Sequence, residues 1–228
     1  MNSVPTSVPG AGADERARFN MVEQQVRTWD VLDQTVLDLM EQAPRDAFVP
    51  ADYAALAYAD ISVPLGDGQV MMPPRVEARL LQALQLDAAD RVLEIGTGSG
   101  FLTHLMAALA GHVVSMEVRA DLQDQARQRL EAHATHNITL DLGDGIRGRP
   151  RGAPYDAIAV TGSVPVLEPH FQQQLSIGGR LFVVVGQAPA MEACLVRRIG
   201  ENEWTTESLF ETVLPPLDGA PAPSRFTF

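Results

Sequence analysis

The hydrophobic positions of the chain fall into three zones with different periods. From residue 14 to about residue 60, Val22, Val26, Val36, Leu37, Leu39 and Met40 recur at roughly helical spacing, and Asp33 stands where an N-cap would open a second helix. Over 62–74 the pattern is broken by Pro64, Gly66, Gly68, Pro73 and Pro74, which predicts a loop. A helix follows, with Val76, Leu80, Leu81 and Leu84 on one face and prolines restraining its start.

From residue 91 the period changes. Short apolar runs at 91–95, 113–117, 138–142, 156–160 and 180–185 alternate with helical stretches at 99–109 and 120–134. Such β-branched, nearly unalternated runs separated by helices predict a parallel sheet buried on both faces, hence a doubly wound α/β fold. Two more strands, 194–199 and 208–214, flank a turn at 200–202 and form an antiparallel hairpin.

Composition narrows the function classes. The chain has 228 residues, enough for one large domain plus an extension. No apolar run approaches the ~20 residues of a membrane span, so no membrane association is expected. The first thirteen residues lack the basic start and apolar centre of a signal peptide and are expected to be a disordered tail. The single cysteine, Cys194, lies in a predicted strand and suits a buried, inert thiol, and the cytoplasm is the expected compartment. Net charge is −12, and Arg147, Arg149 and Arg151 form the densest basic cluster, so no nucleic-acid partner is expected. His133 and His136 lie three apart without a carboxylate or thiol nearby to complete a set, so no metal is expected either.

The strongest local signal is Val92-Leu93-Glu94-Ile95-Gly96-Thr97-Gly98-Ser99-Gly100-Phe101, a strand running through a glycine turn into a helix. Dinucleotide enzymes use G-x-G-x-x-G, but here the third glycine slot holds Phe101 and the spacing is E-x-G-x-G-x-G. Glu94 would repel a phosphate, whereas a ligand with an amine and a sulfonium suits it. Glu117 ends the next strand, where a carboxylate can accept from two ribose hydroxyls. Asp144, between Gly143 and Gly145 after the third strand, suits an adenine amino group.

These residues belong to a longer pattern. From Met21 to Asp218 the chain resembles the protein-L-isoaspartate O-methyltransferases, through Met21-Val22-Glu23-Gln24-Gln25-Val26-Arg27, Pro44-Arg45-Asp46-Ala47-Phe48-Val49-Pro50 and Ala57-Tyr58-Ala59-Asp60. Pro64-Leu65-Gly66-Asp67-Gly68-Gln69 resembles the family's substrate-side loop, and Pro154-Tyr155-Asp156-Ala157-Ile158 and Gly178-Gly179-Arg180-Leu181 agree in order. The resemblance implies a Rossmann-like class I methyltransferase sheet of seven strands with the last one inserted antiparallel. It implies S-adenosylmethionine as cofactor and methyl transfer to a carboxylate of isomerised aspartyl residues in a protein or peptide.

By the same resemblance Gly96, Thr97, Gly98, Glu117, Asp144 and Gly145 join Glu94 in holding the cofactor, with Val70, Met71 and Met72 near the transferable methyl. Asp60, Gln69 and Ser163 are candidates on the substrate side. The family's active-site serine falls on Met72, and Thr161-Gly162-Ser163 stands where Thr-Ala-Ala is usual. A different, more apolar small-molecule acceptor and a non-catalytic cofactor-binding role therefore stand beside the isoaspartyl reading. The domain organisation expected is a tail at 1–13, a helical extension with the substrate-side loop at 14–74 and a cofactor-binding α/β domain at 75–228.

Overall fold

The structure, a computed structural model, describes residues 11–221. The first ten residues of the expected tail lie outside that range, and helix α1 (Ala11–Met21) begins within its last three. A π-helical turn (Val22–Val26) carries the helical path onward and buries Val22 and Val26. Helix α2 (Gln34–Gln42) starts where the sequence places its cap: the Asp33 carboxylate accepts from the N–H groups of Thr35 and Val36.

The stretch 62–74 is more ordered than a proline- and glycine-broken loop suggests. It holds a short antiparallel hairpin, β1 (Val63–Gly66) and β2 (Gln69–Met71). Asp67 and Gly68 at its tip both take positive φ, 49° and 79°, the backbone that tight hairpin turns require. With only three or four residues per strand, the period-2 signal is too short to detect. Helix α3 (Pro74–Leu84) follows with proline at its first position and buries Val76, Leu80, Leu81 and Leu84 as expected, but also Glu77.

The α/β region follows: β3 (Arg91–Ile95), α4 (Phe101–Leu109), β4 (His112–Glu117), α5 (Ala120–Ala132), β5 (Ile138–Leu142), β6 (Tyr155–Val164), α6 (Pro169–Gln173), β7 (Leu175–Gln187), β8 (Ala190–Gly200) and β9 (Glu203–Glu211). The seven strands β3 to β9 form one sheet in the order β5-β4-β3-β6-β7-β8-β9. Strands β3 to β7 pair in parallel, and β8 and β9 each pair antiparallel with the strand before. The doubly wound α/β fold and the terminal hairpin are as predicted. The last strand does run antiparallel to its neighbour, but it lies at the sheet edge, laddered to β8 alone, rather than inserted between two strands.

Apolar residues pack against both sheet faces. One cluster joins α3, α4 and the amino-terminal extension through Phe48, Leu80, Phe101 and Phe182; the other gathers Leu93, Ile158, Phe171 and Val183. Burial on both faces explains the unalternated strands. Cys194 is buried in β8. Because β3 is flanked by β4 on one side and β6 on the other, the strand order reverses there, and a crevice opens outside the carboxyl ends of the strands.

Candidate functional site

A partly open cleft occupies that crevice. Gly96 follows β3, Glu117 ends β4, Asp144 and Gly145 follow β5, and Thr161 comes from β6; all five line it. Backbone geometry dictates the glycines. At Gly96 φ is +96°, and a Cβ would lie 2.3 Å from the Thr161 hydroxyl oxygen. That hydroxyl is itself committed, donating to the carbonyls of Ile95 (2.9 Å) and Gly96 (2.8 Å). A Cβ on Gly145 would lie 2.9 Å from the Ile95 side chain. Any side chain at either position would fill the cleft floor or push strands apart.

Of the three acids lining the cleft, Glu117, Asp144 and Asp218, the first two are aimed by backbone. Glu117 is buried and accepts from the N–H groups of Gly98 (2.9 Å), Val118 (2.9 Å) and Arg119 (3.1 Å). Asp144 accepts from Ile146 N–H through one oxygen, leaving the other for a ligand. These bonds hold each carboxylate in one orientation before anything binds.

Glu94 takes a different place from the one expected. It does not line the main cleft but a smaller side cavity behind the glycine turn, sharing Val70, Gly96, Gly98 and Thr161 as walls. One oxygen, Oε2, accepts from the hydroxyls of Thr103 and Ser115, and Ser115 is bonded in turn to Thr97. The other, Oε1, is buried with no partner. Burial pushes the Glu94 carboxyl up to about 8, against the two hydroxyl donors that favour its charge and with the help of the nearby acids Glu117 and Glu77.

Val70, Met71 and Met72 line the same side cavity, and Met72 is buried. The Met72 carbonyl accepts from Arg45 at 2.6 Å. The Arg45 guanidinium is wholly buried; it also donates to the Ala57 carbonyl (2.8 Å), pairs with Glu77 and lies 5.0 Å from the Phe101 ring. Burial pushes Glu77 up to about 7, while Arg45 opposes that rise. Sequence reasoning assigned no role to this pair. A signal was present, because Glu77 falls on the stripe completed by Leu80, Leu81 and Leu84 and so must face the core.

Of the substrate-side candidates, Gln69 alone lines the cleft. Its amide donates to Asp218, which also receives Arg119 at 2.8 Å; Arg119 reaches Asp67 at 2.8 Å as well. This bridge ties the β1–β2 turn to the carboxyl-terminal segment across the cleft mouth, and neither Arg119 nor Asp218 carries a sequence motif that marks it. Asp60 lines neither cavity; it pairs with Arg75, whose guanidinium stacks 4.3 Å from the Trp29 ring. Ser163 also lines neither. It is buried, donates to the Leu214 carbonyl at 3.0 Å and pins the segment at 214–217 through its backbone. Both anchor the surrounding walls through these contacts.

Among the described residues no group of three or more His, Cys, Asp and Glu gathers as a metal site, and His133 stacks on Phe48 at 5.2 Å. No described helix is long and apolar enough to cross a membrane.

Comparison with known proteins agrees with this geometry. Residues 16–220 match the family model for protein-L-isoaspartate(D-aspartate) O-methyltransferase. The chain is 38% identical over 217 residues to protein-L-isoaspartate O-methyltransferase 2 of Pelobacter propionicus, covering 95% of this chain and 96% of that one. It is 42% identical over 191 residues to protein-L-isoaspartate O-methyltransferase 1 of Geotalea uraniireducens, covering 83% and 87%. A solved protein-L-isoaspartate O-methyltransferase superposes with a TM-score of 0.76 at 26% identity, over 87% of this chain and 65% of that longer one. A solved structure from Plasmodium falciparum in complex with S-adenosyl-L-homocysteine shares the fold, with a TM-score of 0.73 at 19% identity over 88% and 97%. The chain belongs to the protein-L-isoaspartate(D-aspartate) O-methyltransferase family.

Proposed function

We propose that this chain transfers a methyl group from S-adenosylmethionine to the carboxylate of isomerised aspartyl residues in proteins. The observation that carries the reading is the cleft itself: two backbone-aimed carboxylates, Glu117 and Asp144, across a floor where Gly96 and Gly145 admit no side chain. The residues fit the cofactor. Glu117 suits the ribose hydroxyls and Asp144 the adenine amino group, and the unpartnered Glu94 Oε1 beyond the glycine turn suits the cationic methionyl end. When bound, S-adenosylmethionine supplies an electrophilic methyl on sulfur.

The protein's own part is placement. A free carboxylate has a pKa near ~4 and is ionised at neutral pH, so the acceptor needs no general base. In-line displacement then demands a close, ordered approach, which the apolar side chains of Val70, Met71 and Met72 border. Met72 brings no hydrogen-bond donor, and the Gln69 amide is the donor at the cleft that can take over the role of the family serine. Residues 14–74 supply this acceptor side and residues 75–228 the cofactor side. Charge supports a protein acceptor over nucleic acid, since −12 opposes a phosphate backbone. The single buried cysteine supports a cytoplasmic compartment.

The test is methyl transfer to an isoaspartyl peptide beside its normal aspartyl twin. Rapid labelling of the first alone is expected, and equal background rates on both would overturn the substrate. A second reading is favoured by Met71 and Met72 in the side cavity, where thioethers suit a more apolar acceptor. Labelling of a small molecule from cell extract, with none of the isoaspartyl peptide, would establish it instead.

A further inference from the structure

The side cavity behind the glycine turn has an unusual charge balance. Glu94 is fully buried on β3, and every ionisable group facing it is acidic or already committed. From β4 come Ser115 and Glu117, from α4 Thr103, and from α3 Glu77. The cations near this cavity are committed: Arg45 is used by Glu77, Ala57 and Met72, and Arg129 donates to the Ser99 carbonyl at 3.3 Å. Oε1 of Glu94 has no donor at all. A buried carboxylate in such surroundings has its charge opposed by desolvation and by its neighbours.

We infer that cofactor binding exchanges a proton for a cation at this cavity: Glu94 is a neutral carboxyl in the free protein and ionises when the ammonium of the ligand's methionyl end reaches Oε1. The O–H bond of Glu94 breaks, the proton leaves to solvent, and the carboxylate pairs with the ammonium. This rests on the cofactor reading above. Connectivity decides for the ammonium over the sulfonium. The sulfur is one carbon from the ribose, which Glu117 holds in the main cleft, whereas the amine is three carbons further and reaches past Gly96 and Gly98 into the side cavity.

The sign follows from linkage. A ligand that binds the ionised form gains affinity as pH rises toward the free-protein pKa, and loses it below. With that value at about 8, roughly 0.9 proton leaves per ligand bound at pH 7, and affinity falls about ninefold from pH 7 to pH 6. Over that interval the ligand's own amine, with a pKa of ~7.8, is mostly protonated and takes up only about 0.1 proton on binding at pH 7.

Titration calorimetry at pH 7 in buffers of different ionisation enthalpy measures the protons released. S-adenosylmethionine and S-adenosylhomocysteine share the ammonium and differ in the sulfonium, so equal release by both is expected. Glu94→Gln keeps acceptors for Thr103 and Ser115 and should bring the release near zero, while Glu77→Gln should leave it in place. Binding without proton release by the unaltered protein overturns the exchange. Release by S-adenosylmethionine alone, or release lost in Glu77→Gln and kept in Glu94→Gln, overturns the assignment. Absence of binding by either ligand at any pH removes the cofactor reading itself, a distinct result from binding without protons.

Discussion

The cofactor side and the acceptor side of the cleft are held by different means. On the cofactor side the backbone sets the geometry: Gly96 and Gly145 leave no space for a Cβ, and three N–H groups aim Glu117. On the acceptor side a side chain does so: Arg45 reaches from its own turn to Ala57, Met72 and Glu77. A site made of backbone tolerates changes around it but not at its glycines. A site propped by side chains can be re-lined without moving its frame, because the prop grips the Met72 carbonyl, which every residue type provides. The side chain at Met72 is therefore free to vary while its carbonyl stays anchored.

The comparison is tested most severely at Arg45. Arg45→Met leaves Glu77 buried without a partner and should destabilise the protein by about 3–5 kcal/mol in chemical denaturation. Pairing it with Glu77→Leu removes the orphan charge and should recover most of that loss. The double variant still lacks the Met72 carbonyl anchor, so peptide methylation should remain depressed although the protein is folded. Full activity in the double variant would mean the acceptor side needs no prop.

At Gly96 an alanine faces both a positive φ and the Thr161 hydroxyl, and cofactor binding should weaken by about 2–3 kcal/mol, on the order of a hundredfold, as read by calorimetry. Gly98→Ala is the contrast. It shares a positive φ, +53°, but the nearest atom to a new Cβ is the tip of Leu65 at 3.3 Å, which can move aside, so the loss should be smaller than at Gly96. Met72→Ser probes the other side. By analogy with oxyanion-hole donors, a restored hydroxyl should raise turnover of the isoaspartyl peptide by about tenfold while cofactor affinity stays put. A change in cofactor affinity instead would show that the two sides are not separable.

Much of this was legible in the sequence where local chemistry dominates. The glycine turn, Glu117 and Asp144 could be placed because a strand, a turn and a strand end are short-range features, and the structure brings all of them to one cleft. Glu94 could not be placed so well. Its neighbour in sequence is the glycine turn, but its side chain points away from the main cleft to Thr103 and Ser115, 9 and 21 residues distant. The hairpin at 63–71 was hidden because its strands are too short for alternation to register. The contacts of Asp60 with Arg75 and of Ser163 with the Leu214 carbonyl carry no local signal, because those partners meet only once the chain has folded.

The smallest effect is expected at the bridge over the cleft mouth. Arg119 joins Asp67 at the hairpin tip to Asp218 near the carboxyl terminus, and Gln69 reinforces the same aspartate. These are solvent-accessible ion pairs, which add little to folding, so Arg119→Ala should leave the thermal midpoint almost unchanged. With the Gln69–Asp218 hydrogen bond, the bridge joins the hairpin to the segment that carries Asp218. Its loss should let the ligand leave faster, by about twofold to fivefold in stopped-flow dissociation, with little change in association. Salt provides the control. Screening weakens exposed pairs, so the unaltered protein should approach the variant's dissociation rate at high ionic strength, while the variant itself barely responds. If both proteins respond equally to salt, the bridge has no hold on the ligand, and the cofactor side alone, through its glycine floor and backbone-aimed acids, governs release.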